Sequence, residues 1–124
     1  MAFDGPKRPA TTGVSGHDTG ARVWLWEAVT DGDDSSISPV KIPYKDDLTI
    51  YAFGTFGAAA SISLQGSPEI IDPPTLFANL TAANTTIALA AAGCALVDQN
   101  AIWYKPVLTG GDVSTDIDVY IVAK

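Results

Sequence analysis

Residues 47–66 read DLTIYAFGTFGAAASISLQG, and this stretch decides the fold class. In its second half Ile62 and Leu64 alternate with serines and a glutamine, and its first half alternates in the same way. Because successive side chains of a strand point to opposite faces of a sheet, this period of two predicts two half-buried strands. The segment GTFG at 54–57 between them predicts a turn.

The same kind of pattern continues outward along the chain from residue 22. Runs that are rich in β-branched and aromatic residues recur every 8–12 residues or so, separated by Gly, Pro and Asp clusters. This spacing, without helical segments between the runs, predicts an all-β fold: an antiparallel β-sandwich or jelly roll. Residues 75–80 fit either a short turn of helix or an edge strand. Further strands are predicted at residues 22–29, 39–43, 85–91, 94–98, 101–108 and 115–122.

The first 21 residues differ from the rest in composition. They are rich in Gly, Pro, Ser and Thr and show no period of two or 3.6. We therefore predict an extended N-terminal arm at 1–21 and a β-sandwich domain at 22–124. One interpretation is a plain disordered terminus. The other is an arm that orders against a neighbouring subunit, with Phe3, Lys7 and Arg8 as its anchors.

Composition argues against several classes of function. The net charge is −7 and only seven residues are basic, so the chain lacks the cationic patches that nucleic-acid binding requires. No apolar run approaches the length of a membrane span, and no apolar segment typical of a secretory signal follows the N-terminus. With one histidine, His17, and one cysteine, Cys94, we predict no metal site, no cofactor and no catalytic set. Cys94 lies in an apolar run and is expected to be buried.

The large aromatic side chains leave more than one interpretation open. Trp24 and Trp26 share one face of the strand at 22–29, whose other face is also apolar, which indicates burial on both faces or contact with a partner on one. Together with Trp103, they are typical of a core or of an oligomer interface. Alternatively, with Tyr51 and Tyr104, they form a sugar-binding platform.

The order of segments resembles that of a family of short virion proteins of tailed bacteriophages. The resemblance covers residues 22–124, and each of its motifs consists of strand and turn residues. One departure is Gly66-Ser-Pro-Glu-Ile-Ile71, where the family usually has G-S-N-D-G-x-x-W, so the loop after Ser67 is expected to be built differently. The matching segments are RVWLWEAV at 22–29, LTIYAFGTFG at 48–57, ASISLQGS at 60–67, AAG at 91–93, IWYKPV at 102–107 and TGGD at 109–112, followed by TD at 115–116.

The resemblance implies a non-enzymatic capsid decoration (cement) protein. Such a subunit binds the exterior of the virion shell after assembly in the host cytoplasm, bridges neighbouring major capsid proteins and often forms a homotrimer. It uses no cofactor and contacts neither nucleic acid nor membrane. Two alternatives stay open: a virion carbohydrate-binding or adhesion module, and a tail or head–tail connector subunit. The candidate partner-contact residues are Phe3, Lys7, Arg8, Trp24, Trp26 and Trp103.

Overall fold

Antiparallel sheets make up most of the part of this protein that the structure describes. The computed structural model describes residues 10–12, 22–31, 37–42 and 47–124. About 55% of these residues are in strands, and none lies in a helix long and apolar enough to cross a membrane. The all-β, antiparallel prediction is thus confirmed. The strands are β1 (Ala10–Thr12), β2 (Arg22–Val29), β3 (Val40–Lys41), β4 (Leu48–Thr55), β5 (Ser61–Ser67), β6 (Ala78–Asn79), β7 (Thr81–Ala82), β8 (Thr85–Thr86), β9 (Gly93–Leu96), β10 (Trp103–Thr109) and β11 (Asp116–Ala123).

The described strands form two larger sheets and one small hairpin. The five-stranded sheet has the order β1-β2-β11-β4-β9, and the four-stranded sheet has the order β3-β10-β5-β6. Strand β11 lies at the centre of the first sheet, where it pairs with β4 from Asp116 opposite Thr55 to Ala123 opposite Leu48. Strands β7 and β8 pair only with each other.

The buried faces of the two larger sheets contribute to a single core cluster. Trp26, Ile50 and Val119 come from the five-stranded sheet, and Leu64 and Tyr104 come from the four-stranded sheet. All five side chains are fully buried. The alternation of apolar residues that the sequence shows in β4, β5 and β11 therefore marks the core-facing side of each strand.

Strand β2 contains a bulge close to its end. Val29 pairs with Ile117 and Trp26 pairs with Val119, so β2 has one residue more than β11 between these pairs. Ala28 lies in this bulge with φ of 54°, and its amide donates to Asp118 Oδ1 at 2.9 Å. An extra residue in one strand bends it and increases the local twist.

Two predictions for the alanine-rich region are wrong. Cys94 is exposed rather than buried, because β9 is an edge strand in which Ala95 faces the core and Cys94 faces outward. The predicted strand at 85–91 is reduced to Thr85–Thr86. Beyond it, Leu89 makes only an isolated bridge with Ile62, with N···O distances of 2.8 and 2.9 Å. Because alanine lies on both faces of this segment, apolar and polar residues do not alternate, and the sequence alone could not indicate which side faces the core.

Part of the segment predicted as an arm belongs to the sheet. Ala10–Thr12 forms β1, which pairs with β2 with Ala10 opposite Leu25. The pairing of an edge strand rests on main-chain hydrogen bonds, which leave no periodic signal in a sequence of small and polar residues. Of the two alternatives for 75–80, the edge strand is the one observed, as β6.

Candidate functional site

The tryptophans that were predicted to contact a partner are buried within this chain. Trp26 is fully buried, and its indole Nε1 donates to the carbonyl oxygen of Ser38 at 3.0 Å. Trp24 packs in the same core cluster with 9% of its surface exposed. Of the interpretations that the sequence left open, core filling describes both residues. The arm anchors Phe3, Lys7 and Arg8 lie outside the described residues.

Trp103 begins β10 and is 7% exposed. The Lys41 ammonium lies 5.9 Å from its ring centroid. Among the residues that the structure describes, the buried Nε1 of Trp103 has no hydrogen-bond acceptor, and leaving a buried donor unpaired costs about 1–3 kcal/mol. The ring forms part of a cleft of about 340 Å³, whose lining residues are Ser38, Pro39, Asp72, Pro73, Pro74 and Trp103.

Much of the side of the five-stranded sheet that faces away from the core is apolar. Two rows of side chains cross four strands on this outer face, as the register of the strands shows. Except for Thr49, their members are apolar side chains, tyrosines or the cysteine. Leu96 is 60% exposed. The first row consists of Leu25, Tyr120, Tyr51 and Cys94, and the second consists of Val23, Val122, Thr49 and Leu96.

Three aromatic rings form a contiguous group on this outer face. The ring centroids of Tyr51 and Phe53 are 6.2 Å apart with nearly parallel planes, and those of Phe53 and Tyr120 are 6.1 Å apart in an edge-on arrangement. Phe53 is 47% exposed. A cleft of about 350 Å³ adjoins the group, and its lining residues are Asp47, Thr49, Tyr51, Leu96, Val122 and Lys124. The cleft therefore combines an aromatic ring with a carboxylate, a hydroxyl and an ammonium group.

A second apolar surface lies on the loop after β5, residues 68–77, which we call the apolar loop. Ile70, Ile71 and Leu76 on this loop are 79%, 52% and 65% exposed. That this loop is built differently from the corresponding loop of the phage family stays a prediction. Two adjacent isoleucines in a proline-rich segment are the signal by which the sequence could have marked this surface.

The Glu69 carboxylate holds the apolar loop together. Its Oε1 accepts hydrogen bonds from the amides of Thr75 at 2.5 Å and Leu76 at 2.6 Å. The Thr75 hydroxyl lies 3.3 Å from each carboxylate oxygen, and the Ser67 hydroxyl donates to Oε1 at 3.5 Å. The amide of Leu76, followed by that of Thr75, is the main reason that the pKa of Glu69 lies below its ordinary value. One side chain thus fixes both ends of the loop.

Two other carboxylates hold tight turns in the same manner. Asp98 accepts hydrogen bonds from the amides of Ala83 and Asn84, whose positive φ values of 50° and 65° are those of a type I′ hairpin turn. Asp112 accepts from the hydroxyl and amide of Ser114, at 2.6 and 2.8 Å. The pKa of Asp98 is lowered mainly by the Asn84 amide, and that of Asp112 mainly by the Ser114 hydroxyl. These shifts follow from turn geometry and do not indicate acid–base chemistry.

In the part of the chain that the structure describes, no three His, Cys, Asp or Glu side chains are grouped as a metal site requires. Asp116 and Asp118 both point away from the core, and Asp118 accepts a hydrogen bond from the Ala28 amide in the bulge of β2. No protein-family model, no curated protein and no solved structure matches this chain.

Proposed function

We propose that this chain is a capsid decoration protein of a tailed bacteriophage, which binds the outside of the shell and bridges major capsid proteins. A bridging subunit must contact at least two neighbours through separate surfaces. The observation that carries the proposal is the presence of two separate apolar surfaces, the outer face of the five-stranded sheet and the apolar loop after β5 of the other sheet. Exposed apolar patches of this kind are typical of protein interfaces.

The fold is consistent with such a role. We propose that the two larger sheets form a sandwich of the jelly-roll type, a fold that recurs in capsid proteins. A sandwich offers a rigid body with loops at its ends and a flat sheet face at its side. Both kinds of surface carry apolar groups in this chain. We further propose that the subunit acts as a homotrimer and lies on the capsid exterior.

The use of the acidic side chains supports a role without catalysis. Glu69, Asp98 and Asp112 accept hydrogen bonds from the backbone of their own loops, and Asp118 accepts one from Ala28. Carboxylates that are committed to turns are not positioned to transfer protons to a substrate. The subunit would stabilise the shell by binding the assembled state alone, so stabilisation grows with affinity and concentration.

The decisive experiment is cryo-electron microscopy of the particle whose genome encodes this chain. We expect density for the chain on the outer shell at three-fold and quasi-three-fold positions, with the outer face or the apolar loop against neighbouring subunits. Density in the tail alone would contradict the decoration role and favour a connector subunit. Heads from a deletion of the encoding gene should lose stability to heating, and adding the purified chain should restore it.

A second candidate function, glycan binding, is favoured by the aromatic group on the outer face. Tyrosine rings present an apolar surface with a polar tip, and the adjoining cleft adds Asp47, Thr49 and Lys124 as hydrogen-bonding groups. Isothermal titration with host-surface polysaccharide tests this candidate. If it is correct, Tyr51→Ala should abolish binding, while the matched variant Tyr104→Phe, whose ring is in the core, should bind as the unaltered chain does.

A further inference from the structure

We infer that the apolar loop is the element that inserts into the shell, and that its receptor is an apolar pocket with Lys or Arg at its rim on a folded protein. This inference rests on the proposed function and specifies the partner chemistry of one of its two surfaces. Its basis is the exposure of three large aliphatic side chains on a loop that is nevertheless fixed in shape.

The exposure of these side chains has no explanation within the described fold. Ile70 and Leu76 leave 79% and 65% of their surfaces in solvent, and Ile71 leaves 52%. Burying an aliphatic side chain of this size is favourable, so a loop that exposes three of them gains by binding. Isolated exposed apolar residues are ordinary, but a group on one loop marks an interaction site.

The loop is also ordered in advance of binding. Glu69 accepts hydrogen bonds from Thr75 and Leu76, and its own amide donates to the buried Ser67 hydroxyl at 3.2 Å. At the other end, the Lys105 ammonium lies 4.3 Å from the ring centroid of Phe77. A loop that is already fixed loses little conformational entropy on binding, which raises its affinity for a receptor of matching shape.

Charge at the tip selects among receptors. Asp72 follows Ile71 directly and is exposed, while two described cations near the loop, Lys105 and Lys41, lie against the rings of Phe77 and Trp103. The whole chain carries a net charge of −7. A cationic rim would attract this loop, whereas the same acidic loop of a second copy or an anionic lipid surface would repel it.

The test measures cosedimentation of the purified chain with heads that lack it, prepared from a deletion of the encoding gene. We expect the double variant Ile70→Ser/Ile71→Ser to bind at least tenfold more weakly. Val113→Ser is the matched control, because Val113 is a fully exposed aliphatic residue on a different turn, and it should bind normally. Asp72→Asn should weaken binding several-fold in low salt, and this difference should vanish in high salt.

Glu69→Gln separates the shape of the loop from its apolar content. This variant keeps both isoleucines but weakens the acceptor that holds the loop, so we expect several-fold weaker binding and faster hydrogen exchange at the amides of Thr75 and Leu76. Circular dichroism and thermal unfolding verify that each variant is folded. Normal binding by Glu69→Gln, together with fast hydrogen exchange at the amides of Thr75 and Leu76, would contradict the role of Glu69.

The remaining outcomes of the binding test distinguish failure of the inference about the loop from failure of the proposed function. Equal binding by the unaltered chain and the double variant overturns the inference but leaves the proposed function standing. Failure of the unaltered chain to bind overturns the proposed function, and the inference falls with it. Flotation with phosphatidylcholine–phosphatidylserine vesicles, or self-association that Ile70→Ser/Ile71→Ser abolishes, would replace the cationic protein receptor with a membrane or a second copy.

Discussion

The indole of Trp26 in β2 donates a hydrogen bond to the carbonyl of Ser38, which lies two residues before β3, at 3.0 Å. Since β2 and β3 belong to different sheets, this bond joins the two sheets at one side of the core. The indole N–H of Trp103 is also buried, but it has no hydrogen-bond acceptor among the described residues. Of these two buried tryptophans, Trp26 therefore has a hydrogen-bonded indole and Trp103 has an unpaired one.

This contrast predicts different costs for the same substitution. Trp26→Phe removes a made bond and leaves the Ser38 carbonyl without its donor, whereas Trp103→Phe removes an unpaired donor. Both variants lose a similar volume from a buried site, so the cavity contributions largely cancel in the comparison. We expect Trp26→Phe to lower the free energy of unfolding by about 1–3 kcal/mol more than Trp103→Phe. Urea unfolding followed by far-ultraviolet circular dichroism measures the difference, and equal costs would refute the assignment.

The bulge in β2 predicts a stabilising substitution. Ala28 has φ of 54°, a left-handed conformation that costs an L-residue about 1–2 kcal/mol. Ala28→Gly removes that cost but adds conformational freedom to the unfolded chain, worth about 0.4–1 kcal/mol. We expect a net gain of about 0.5–1 kcal/mol in thermal or urea unfolding. The matched control Ala95→Gly, in regular β9, should be destabilising, and a loss of stability in both variants would contradict the prediction.

Acidification is predicted to weaken the loops before the sheets. Glu69, Asp98 and Asp112 have pKa values lowered below their ordinary 4.5, 3.8 and 3.8 by hydrogen bonds to the folded backbone and side chains. A lowered pKa in the folded state means that the stabilisation is complete above the unfolded pKa and is lost as the pH falls through the folded one. We expect the free energy of unfolding to be level near neutral pH and to decline below about pH 4.

The control for this pH dependence is the triple variant Glu69→Gln/Asp98→Asn/Asp112→Asn. This variant should be less stable at neutral pH, and its free energy of unfolding should decline less as the pH is lowered. Urea unfolding at a series of pH values between 7 and 2 provides the comparison. If the free energy of unfolding declines equally steeply with acid in the unaltered chain and the triple variant, other groups carry the pH dependence.

Gly54 is predicted to be intolerant of any side chain. It has φ of 134°, and a Cβ at this position would collide with the carbonyl oxygen of Asp116 on the neighbouring β11. We expect Gly54→Ala to cost at least about 1–3 kcal/mol, because strain and collision add. Gly93→Ala is the control, since its Cβ would meet only the Ala91 carbonyl oxygen at 3.8 Å, and it should be neutral or slightly stabilising. Similar effects at the two glycines would contradict this account.

The sequence predicted which faces of the strands are buried where apolar and polar residues alternate, and failed where they do not. Alternation placed Ile62, Leu64 and Ile121 correctly in the core, because a period of two follows directly from strand geometry. It could not place Cys94, where both faces of the strand are apolar or small, nor detect β1, whose pairing depends on the backbone alone.

The candidate surfaces were harder to predict than the core. The sequence singled out tryptophans as contact residues because large aromatic side chains suit interfaces, but the same property suits a core, and Trp24 and Trp26 are in the core. The exposed apolar residues on the two candidate surfaces are Ile70, Ile71 and Leu76 in the apolar loop, and Phe53 and Leu96 on the outer face. Their exposure depends on Glu69 and on strand register, which join residues several positions apart and leave no local pattern.

The central position of β11 has a consequence for how this protein is made. Strands β2 and β4 flank β11 and do not pair with each other, so the five-stranded sheet stays open until residues 116–123 have left the ribosome. A nascent chain that stalls earlier holds two strands, β2 and β4, whose main-chain edges toward β11 are unpaired, a state that invites aggregation. Folding of the five-stranded sheet is therefore close to all-or-none during synthesis. A product that ends before residue 116 lacks the strand that pairs with both β2 and β4.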